Sequence, residues 1–296
     1  MSLETIFLDP FRFEFMQRGL ASALFLSVSG GLLGSLLVLR RLALMGDALA
    51  HSLLPGIGLS YLFFGPSPIG LFAGALAAGL LTTLGSALIS RLTRVKEEAA
   101  FAAIFIVLFG LGVALLTAIG PQVKLLPMLF GNILGVTQAD LYLAAGASTL
   151  AVAVVVLFQR SLILETFDPI FFRATGGHGG FIHLSILALT SINLLAALQA
   201  MGIVLALGLF ILPAVTAYLW TDRLTVLFGL AIAAAMVSSV AGLLTSYHFG
   251  LASGACIVMA LGFLFLASAL ASPRYGMIGR LVRSRLEGRG VLRSPN

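Results

Sequence analysis

Residues 40–58, RRLALMGDALAHSLLPGIG, join a basic pair to an apolar stretch that contains an aspartate and a histidine. At about 1.5 Å per residue, Asp47 lies about 9 Å and His51 about 15 Å beyond Arg41, well inside a membrane-spanning helix. An aspartate near the centre of such a helix costs about 2.5–3.5 kcal/mol, so it usually faces a cavity and has a partner. Asp47 is therefore the first candidate functional residue, since the other acidic residues lie in loops, tails or span ends.

His51 lies four residues after Asp47, so a helix places both side chains on one face with their Cβ atoms about 5–6 Å apart. A carboxylate and an imidazole, without a thiolate, suit manganese, iron(II) or zinc and disfavour copper(I). Two ligands do not enclose an ion, but a two-fold dimer with its pore on the axis would bring two aspartates and two histidines together. The alternative is a pair that satisfies itself inside a packed bundle.

Pro55 follows His51 by a further four residues and predicts a kink, because proline has no N–H to donate to the His51 carbonyl. That carbonyl oxygen would then be a third oxygen facing the same cavity. Gly46, Gly56 and Gly58 would permit another backbone to approach this segment closely.

The composition of the whole chain indicates that lipid is its solvent. Of 296 residues, 60% are hydrophobic and 9% are charged, whereas soluble domains carry about 25% charged residues. The 33 glycines agree with helices that pack in membranes through small residues. The single cysteine, Cys256, excludes an intrachain disulfide and a cysteine metal cluster. The net charge of +6 lies in short loops and a tail, which argues against nucleic acid as a partner.

Nine apolar segments are long enough, at about 20 residues each, to cross a bilayer as helices. They are continuous apolar runs rather than the short alternating segments of a β-barrel. We therefore predict an all-α, polytopic transmembrane helical bundle of eight or nine spans. The boundary between the sixth and seventh segments is weak, because apolar sequence continues through Ala200-Met201-Gly202. The segments are residues 19–39, 43–63, 68–90, 99–119, 139–158, 181–199, 202–220, 225–247 and 252–271.

The basic residues predict which side of the membrane each loop occupies. Fourteen of the 17 lysines and arginines follow the first, third, fifth, seventh and ninth segments, and basic loops stay in the cytoplasm. This asymmetry places the N-terminus outside and the C-terminus in the cytoplasm, which requires an odd number of spans; an eight-span chain would need one re-entrant segment. We predict a transmembrane domain over residues 1–272 and a basic cytoplasmic tail over residues 273–296 that contacts anionic lipid.

Nucleotide-binding and catalytic motifs are missing from the sequence. A phosphate-binding loop ends in Gly-Lys-Ser or Gly-Lys-Thr, whereas Lys96 and Lys124, the two lysines, both follow valine. The sequence has no HExxH zinc motif and no second intramembrane carboxylate for an aspartyl protease, and no nucleophile motif supports a dyad of His51 with Ser29 or Ser148. We predict a transport subunit that is not an enzyme and holds no permanent cofactor, with ATP hydrolysed on a separate subunit.

The loop after the fifth segment predicts a short amphipathic helix on the cytoplasmic face. Asp168-Pro169 suits an N-cap followed by proline at the first helical position, and Gly176-Gly177 would end the helix. Such a helix could lie on lipid or dock in a groove of a partner protein. The residues that recur at helical spacing are Phe167, Ile170, Phe171 and Ala174.

The remaining histidines are weaker candidates for chemistry. His178 lies in a glycine-rich turn, and His248 lies at the outer end of a span. His183 stands at the start of the sixth segment. We predict that each is an interfacial or loop residue, and that the mid-span Asn193 holds helices together rather than binding metal.

The run LVLRR at 37–41, followed by MGDALAHSLLPG at 45–56, closely resembles the signature of the ATP-binding-cassette permeases for zinc, manganese and iron. Supporting similarity lies at residues 9–18, at 129–135 in an external loop, and at 212–214 and 254–258 in the last spans. The resemblance therefore extends over most of the chain and implies a fold like that of type II ABC importers.

This resemblance implies a bacterial cytoplasmic-membrane permease that forms a homodimer and works with two cytoplasmic ATP-binding subunits and an extracytoplasmic metal-binding protein. It assigns Asp47 and His51 to the metal pathway. The N-terminal segment favours manganese or iron over zinc. The segment that it makes the coupling helix, which docks on the ATPase, is Phe167, Asp168, Pro169, Ile170, Phe171, Phe172, Arg173, Ala174, Thr175 and Gly176. The Phe171-Phe172-Arg173 run is bulkier than the family pattern, and the resemblance does not explain the long basic tail.

The predicted function is that of a permease subunit for ATP-driven uptake of a divalent transition metal. The main alternative is an ion-gradient-driven transporter or channel that uses the same pair, Asp47 and His51, and runs without ATPase subunits. A permease for a siderophore or cobalamin is a rival within the family, but such substrates do not require a paired aspartate and histidine.

Overall fold

The computed structural model describes residues 9–65, 67–119, 133–273 and 275–277. Within these ranges the chain is helical and contains no strand, which confirms the predicted all-α bundle. Lys124, residues 129–132 of the external loop and most of the predicted tail lie outside the described residues. The helices are α1 (Glu14–Leu39), α2 (Ala43–Ser52), α3 (Leu54–Phe64), α4 (Pro68–Leu92), α5 (Glu97–Ile119), α6 (Gln138–Leu157), α7 (Gln159–Phe167), α8 (Pro169–Ala174), α9 (Gly179–Met201), α10 (Ile203–Tyr218), α11 (Leu224–Phe249) and α12 (Ser253–Ala271).

Seven helices of the described chain are long and apolar enough to cross a membrane, namely α1, α4, α5, α6, α9, α11 and α12. The predicted seventh segment is the shorter α10, which has 16 residues. The predicted second segment is the pair α2 and α3. All nine predicted segments are therefore helical, and the chain is a multi-pass membrane protein. The number of crossings and the side on which each terminus lies stay predictions.

The segment from 43 to 63 is not one continuous helix, because α2 ends at Ser52 and α3 begins at Leu54. The break lies just before Pro55, as the missing N–H of proline predicts. The backbone N–H of Leu53 donates to the His51 carbonyl. Leu53 thus donates to the carbonyl that lacks its usual helical donor because of Pro55, and the approach of this oxygen to a cavity stays a prediction.

The bundle consists of two groups of helices that α9 joins. In the first group, α1 packs against α6, α10 and α11, and α12 covers α10 and α11. In the second group, α5 packs against α2, α3 and α4. Helix α9 contacts members of both groups, including α6 and α10 in the first and α2 and α4 in the second. Most of the α5 surface is left exposed in the single chain.

Glycines bring the central helices into close contact. A Cβ atom added to Gly34 of α1 would overlap the carbonyl oxygen of Phe210 in α10. A Cβ atom on Gly242 of α11 would overlap the backbone of Ile257 in α12. Lipid provides no hydrophobic drive between helices, so such close backbone packing is a main source of stability in a membrane bundle.

Candidate metal pathway and coupling segment

Asp47 and His51 lie on one face of α2, as their spacing predicts. Asp47 Oδ1 and His51 Nε2 are 3.7 Å apart, and their side chains are 55% and 27% exposed in the single chain. Leu44, one turn before Asp47, is also exposed. We call the face formed by Leu44, Asp47 and His51 the α2 stripe. The pair is therefore turned outward from the bundle of one chain rather than locked among its helices.

His51 packs against two aromatic side chains of α5. Its ring centroid lies 6.2 Å from that of Phe105 and 5.8 Å from that of Phe109, which it meets edge-on. The Nδ1 atom of His51 is shielded from solvent and has no hydrogen-bond partner among the described residues. The two phenylalanines hold the imidazole beside the carboxylate without occupying its nitrogen atoms.

The donor set of one chain is incomplete for a metal ion. Within the described ranges, no three histidine, cysteine, aspartate or glutamate residues are grouped so that they could hold one ion. Asp47 and His51 supply two donors, whereas manganese, iron and zinc usually bind at least four ligands, counting water. A site for such an ion would therefore need donors beyond the Asp47 and His51 side chains.

Close helix contacts hold the break between α2 and α3 in place. A Cβ on Gly112 of α5 would lie 2.8 Å from the backbone nitrogen of Pro55. Gly56 of α3 and Gly74 of α4 meet backbone to backbone, so neither position has room for a side chain. The end of the His51 helix is thus fixed by its neighbours α4 and α5.

The segment predicted as the coupling helix, residues 167–176, contains helix α8 and the last residue of α7. The backbone N–H of Phe171 donates to Asp168 Oδ1 over 2.9 Å, and Pro169 occupies the first turn, which gives the predicted N-cap. The helix ends at Ala174, and Gly176 follows with a φ of +85°. Phe172 is buried, whereas the apolar residues Phe167, Ile170 and Phe171 are exposed.

A cluster of polar side chains on the same side of the bundle as α8 was not predicted. Arg40 Nη1 lies 2.9 Å from His183 Nδ1, and Arg40 Nε donates to Thr166 Oγ1 over 3.1 Å. His183 Nε2 lies 2.6 Å from Glu97 Oε1. Burial lowers the pKa of the Arg40 guanidinium below its usual value, and the nearby charges of Glu165 and Glu97 offset part of this effect. We call Arg40, Glu97, Glu165, Thr166 and His183 the Arg40 cluster.

His183 lies near the start of α9, in keeping with its predicted place at a span start, and its hydrogen bonds to Arg40 and Glu97 were not predicted. One signal in the sequence could have found the cluster. The distribution of basic residues places the segments that follow the first, third and fifth spans on one side of the membrane. That side is where Arg40, Glu97 and the region around Thr166 meet.

Comparison with known proteins gives one family match and several relatives. The family described as "ABC 3 transport family" matches residues 12–272. A protein of Halalkalibacterium halodurans, "Manganese transport system membrane protein MntC", is 38% identical over 287 residues, covering 96% of this chain and 97% of its own. A Haemophilus influenzae protein, "Probable iron transport system membrane protein", is 35% identical and covers 85% of this chain and 92% of its own.

The fold is also similar to that of a solved structure, PsaBC from Streptococcus pneumoniae in complex with Fab. The TM-score is 0.80 at 29% sequence identity, and the match covers 93% of this chain and 96% of the other. The family match spans nearly all the described helices, and relatives above 30% identity cover most of the sequence. The chain therefore belongs to the ABC 3 transport family.

Proposed function

We propose that this chain is the membrane-spanning permease subunit of an ATP-driven importer of divalent transition metal, with manganese or iron as the substrate. The observation that carries the proposal is the Asp47–His51 pair on the outward stripe of α2. A carboxylate and an imidazole within an apolar bundle cost free energy unless they have a ligand or a partner. A divalent ion passing through a pore is a ligand that both groups can hold.

Incomplete coordination suits transport. An ion must bind strongly enough to leave its carrier, and weakly enough to leave the pore. A two-fold dimer with the α2 stripe on its axis would surround the ion with two carboxylates and two imidazoles. The exposure of Asp47 in the single chain supports this arrangement, because a second copy would cover it.

The choice of metal rests on the donors and on the relatives. The relatives from Halalkalibacterium halodurans and Haemophilus influenzae are named for manganese and iron transport, respectively. Oxygen and imidazole donors suit both ions. Zinc fits the same donors, so competition between the three metals is part of the test.

The partners follow from the exposed apolar side chains of α8. Ile170 and Phe171 project from a short helix on the predicted cytoplasmic face, where an ATP-binding subunit would cover them. Closure of two such subunits on ATP would move α8 and switch the bundle between outward and inward openings. An extracytoplasmic metal-binding protein would deliver the ion on the other side.

The test is uptake in vesicles that contain the permease with its ATP-binding subunits and its external metal-binding protein. We expect ATP-dependent uptake of Mn²⁺ or Fe²⁺ to fall to background in Asp47→Ala and in His51→Ala, while both variants still assemble with the ATPase. His248→Ala, which changes an exposed histidine at the far end of α11, is the matched control and should transport normally.

Two outcomes would overturn the proposal. Normal uptake in both variants would remove Asp47 and His51 from the pathway. Metal uptake by vesicles that lack the ATP-binding subunits would indicate the alternative mechanism, driven by an ion gradient.

A further inference from the structure

The Arg40 cluster joins helices that are far apart in the sequence. Arg40 directly follows α1, Glu97 begins α5, Thr166 lies near the end of α7, and His183 lies in the first turns of α9. The hydrogen bonds described above connect all four positions through Arg40 and His183. The cluster therefore fastens four helix ends to one another on one side of the bundle.

The hydrogen bonds have one consistent direction. A guanidinium group donates and does not accept, so His183 Nδ1 accepts from Arg40. The proton of the neutral imidazole then sits on Nε2 and is donated to Glu97 Oε1. His183 thus links Arg40 to Glu97 through its two ring nitrogen atoms, and these hydrogen bonds fix the orientation of each group.

Glu165 adds a charge to the same helix end as Thr166. One of its carboxylate oxygens, Oε2, is shielded from solvent and has no hydrogen-bond partner in the described part of the chain. The carboxylate lies against Gly179, the first residue of α9, and attracts Arg40. Helix α7 is therefore bound to Arg40 by the Thr166 hydrogen bond and by the charge of Glu165.

Other charged groups surround this position. Arg41, Arg91 and Arg173 line the same cavity, whose volume is about 520 Å³. The guanidinium of Arg91 lies against Gly180, next to Glu165's contact on α9. The negative charges of Glu97 and Glu165 thus balance part of the positive charge of these arginines. Without Arg40, the arginines left in this cavity with the two glutamates would be Arg41, Arg91 and Arg173.

The place of Arg40 in the chain links two functional segments. Helix α7 is separated from α8 by Asp168 alone, and Arg40 is separated from α2 by Arg41 and Leu42. Arg41 has a φ of +61°, so the turn between α1 and α2 is sharp and conformationally restricted. A displacement of α8 would act on α7, then on Arg40, and then on the turn that begins the Asp47 helix.

We propose that Arg40 is a positioning residue that ties α7, and through it the proposed coupling helix α8, to the helix that carries Asp47 and His51. The inference rests on the proposed function for its meaning in transport. Its physical content is a tie between α7 and the α1–α2 turn, which can be measured without transport.

The first experiment measures that tie in the purified full-length chain by hydrogen–deuterium exchange. In Arg40→Gln and in Thr166→Val, we expect faster amide exchange in residues 43–52 and 169–174 together. Thr166→Val keeps the shape of the side chain and removes the hydroxyl that accepts from Arg40, so it disturbs the fold least. Arg160→Gln, which changes an exposed arginine of α7 outside the Arg40 cluster, is the matched control and should leave exchange in both segments unchanged.

The second experiment measures transport and ATP hydrolysis together in the reconstituted complex. We expect Arg40→Gln to keep its ATPase activity but to move about tenfold less metal per ATP, because the directed bonds to Thr166 and His183 are lost and a hydrogen bond to a charged group is worth a factor of about ten or more. Arg40→Lys should recover only part of this loss, because an ammonium group cannot reproduce the two directed bonds of the guanidinium.

The outcomes separate this inference from the proposed function. Unchanged exchange in Arg40→Gln and Thr166→Val, or faster exchange in only one of the two segments, would overturn the tie. An equal loss of ATPase activity and uptake would show a structural role rather than positioning. A wild-type complex that moves no metal would contradict the proposed function, while the exchange measurement would still decide whether the tie exists.

Discussion

Asp47 and His51 are brought together by a separation of about one helical turn. A separation of four residues places the carboxylate and the imidazole on one face of α2, and the structure holds them 3.7 Å apart. The phenylalanines of α5 fix the imidazole ring. Because both side chains are partly exposed in the single chain, we expect substitution of either one to remove uptake rather than to reduce stability.

Gly34 is a residue whose role is steric. A Cβ there would meet the backbone of Phe210, which cannot move without shifting α10. We expect Gly34→Ala to destabilise the purified chain by about 1–3 kcal/mol, as overpacking does, and to lower its melting temperature.

The matched control for Gly34→Ala is Gly229→Ala. Gly229 lies in α11, and a Cβ there would meet no atom within 4 Å. Alanine should stabilise that helix by up to about 1 kcal/mol. Equal melting temperatures for the two variants would contradict the close contact between α1 and α10.

Among the helices, α8 has an exposed face and a buried face, and we expect the two to have different roles. Ile170 is 77% exposed, whereas Phe172 is 9% exposed and packs next to Gly177. We expect Ile170→Asp to abolish co-purification with the ATP-binding subunit while the melting temperature of the permease alone stays unchanged. The reason is that the exposed Ile170 side chain contributes little to this fold, whereas a docked subunit would cover it.

Phe172→Ala should give the opposite result. Loss of a buried phenylalanine typically costs about 3–5 kcal/mol, so the melting temperature of the isolated chain should fall. If Ile170→Asp also lowers the melting temperature, or leaves ATPase binding intact, the outer face of α8 is not the docking surface.

At the scale of the whole molecule, we expect two copies of the chain to form the proposed pore, each contributing one half. Most of the α5 surface and the α2 stripe are uncovered in the single chain, and we expect a second copy to cover them. In a Cys256→Ser background, Leu44→Cys should form a disulfide-linked dimer in membranes on mild oxidation, because Leu44 is 85% exposed beside Asp47.

Phe263→Cys is the control for this cross-link. Phe263 is 79% exposed on α12, which packs on α10 and α11 rather than on the α2 side of the bundle. Cross-linking from position 263 but not from position 44 would place the dimer interface elsewhere and would leave the Asp47–His51 pair facing lipid.

Sequence alone was sufficient for the features that depend on composition and on spacing within one helix. The apolar content dictated a helical membrane bundle, and the i, i+4 spacing dictated the shared face of Asp47 and His51. Asp168 and Pro169 likewise determined where α8 begins, because capping depends on adjacent residues. In each case the rise and hydrogen bonding of a single helix carry the information.

Tertiary structure alone decided where separate helices meet. Arg40 and His183 are 143 positions apart in the chain, and their contact depends on how α1 and α9 pack across the bundle. The same packing turned the Asp47–His51 pair outward. Such contacts follow from the close fit of many side chains at once, which no local spacing in the sequence contains.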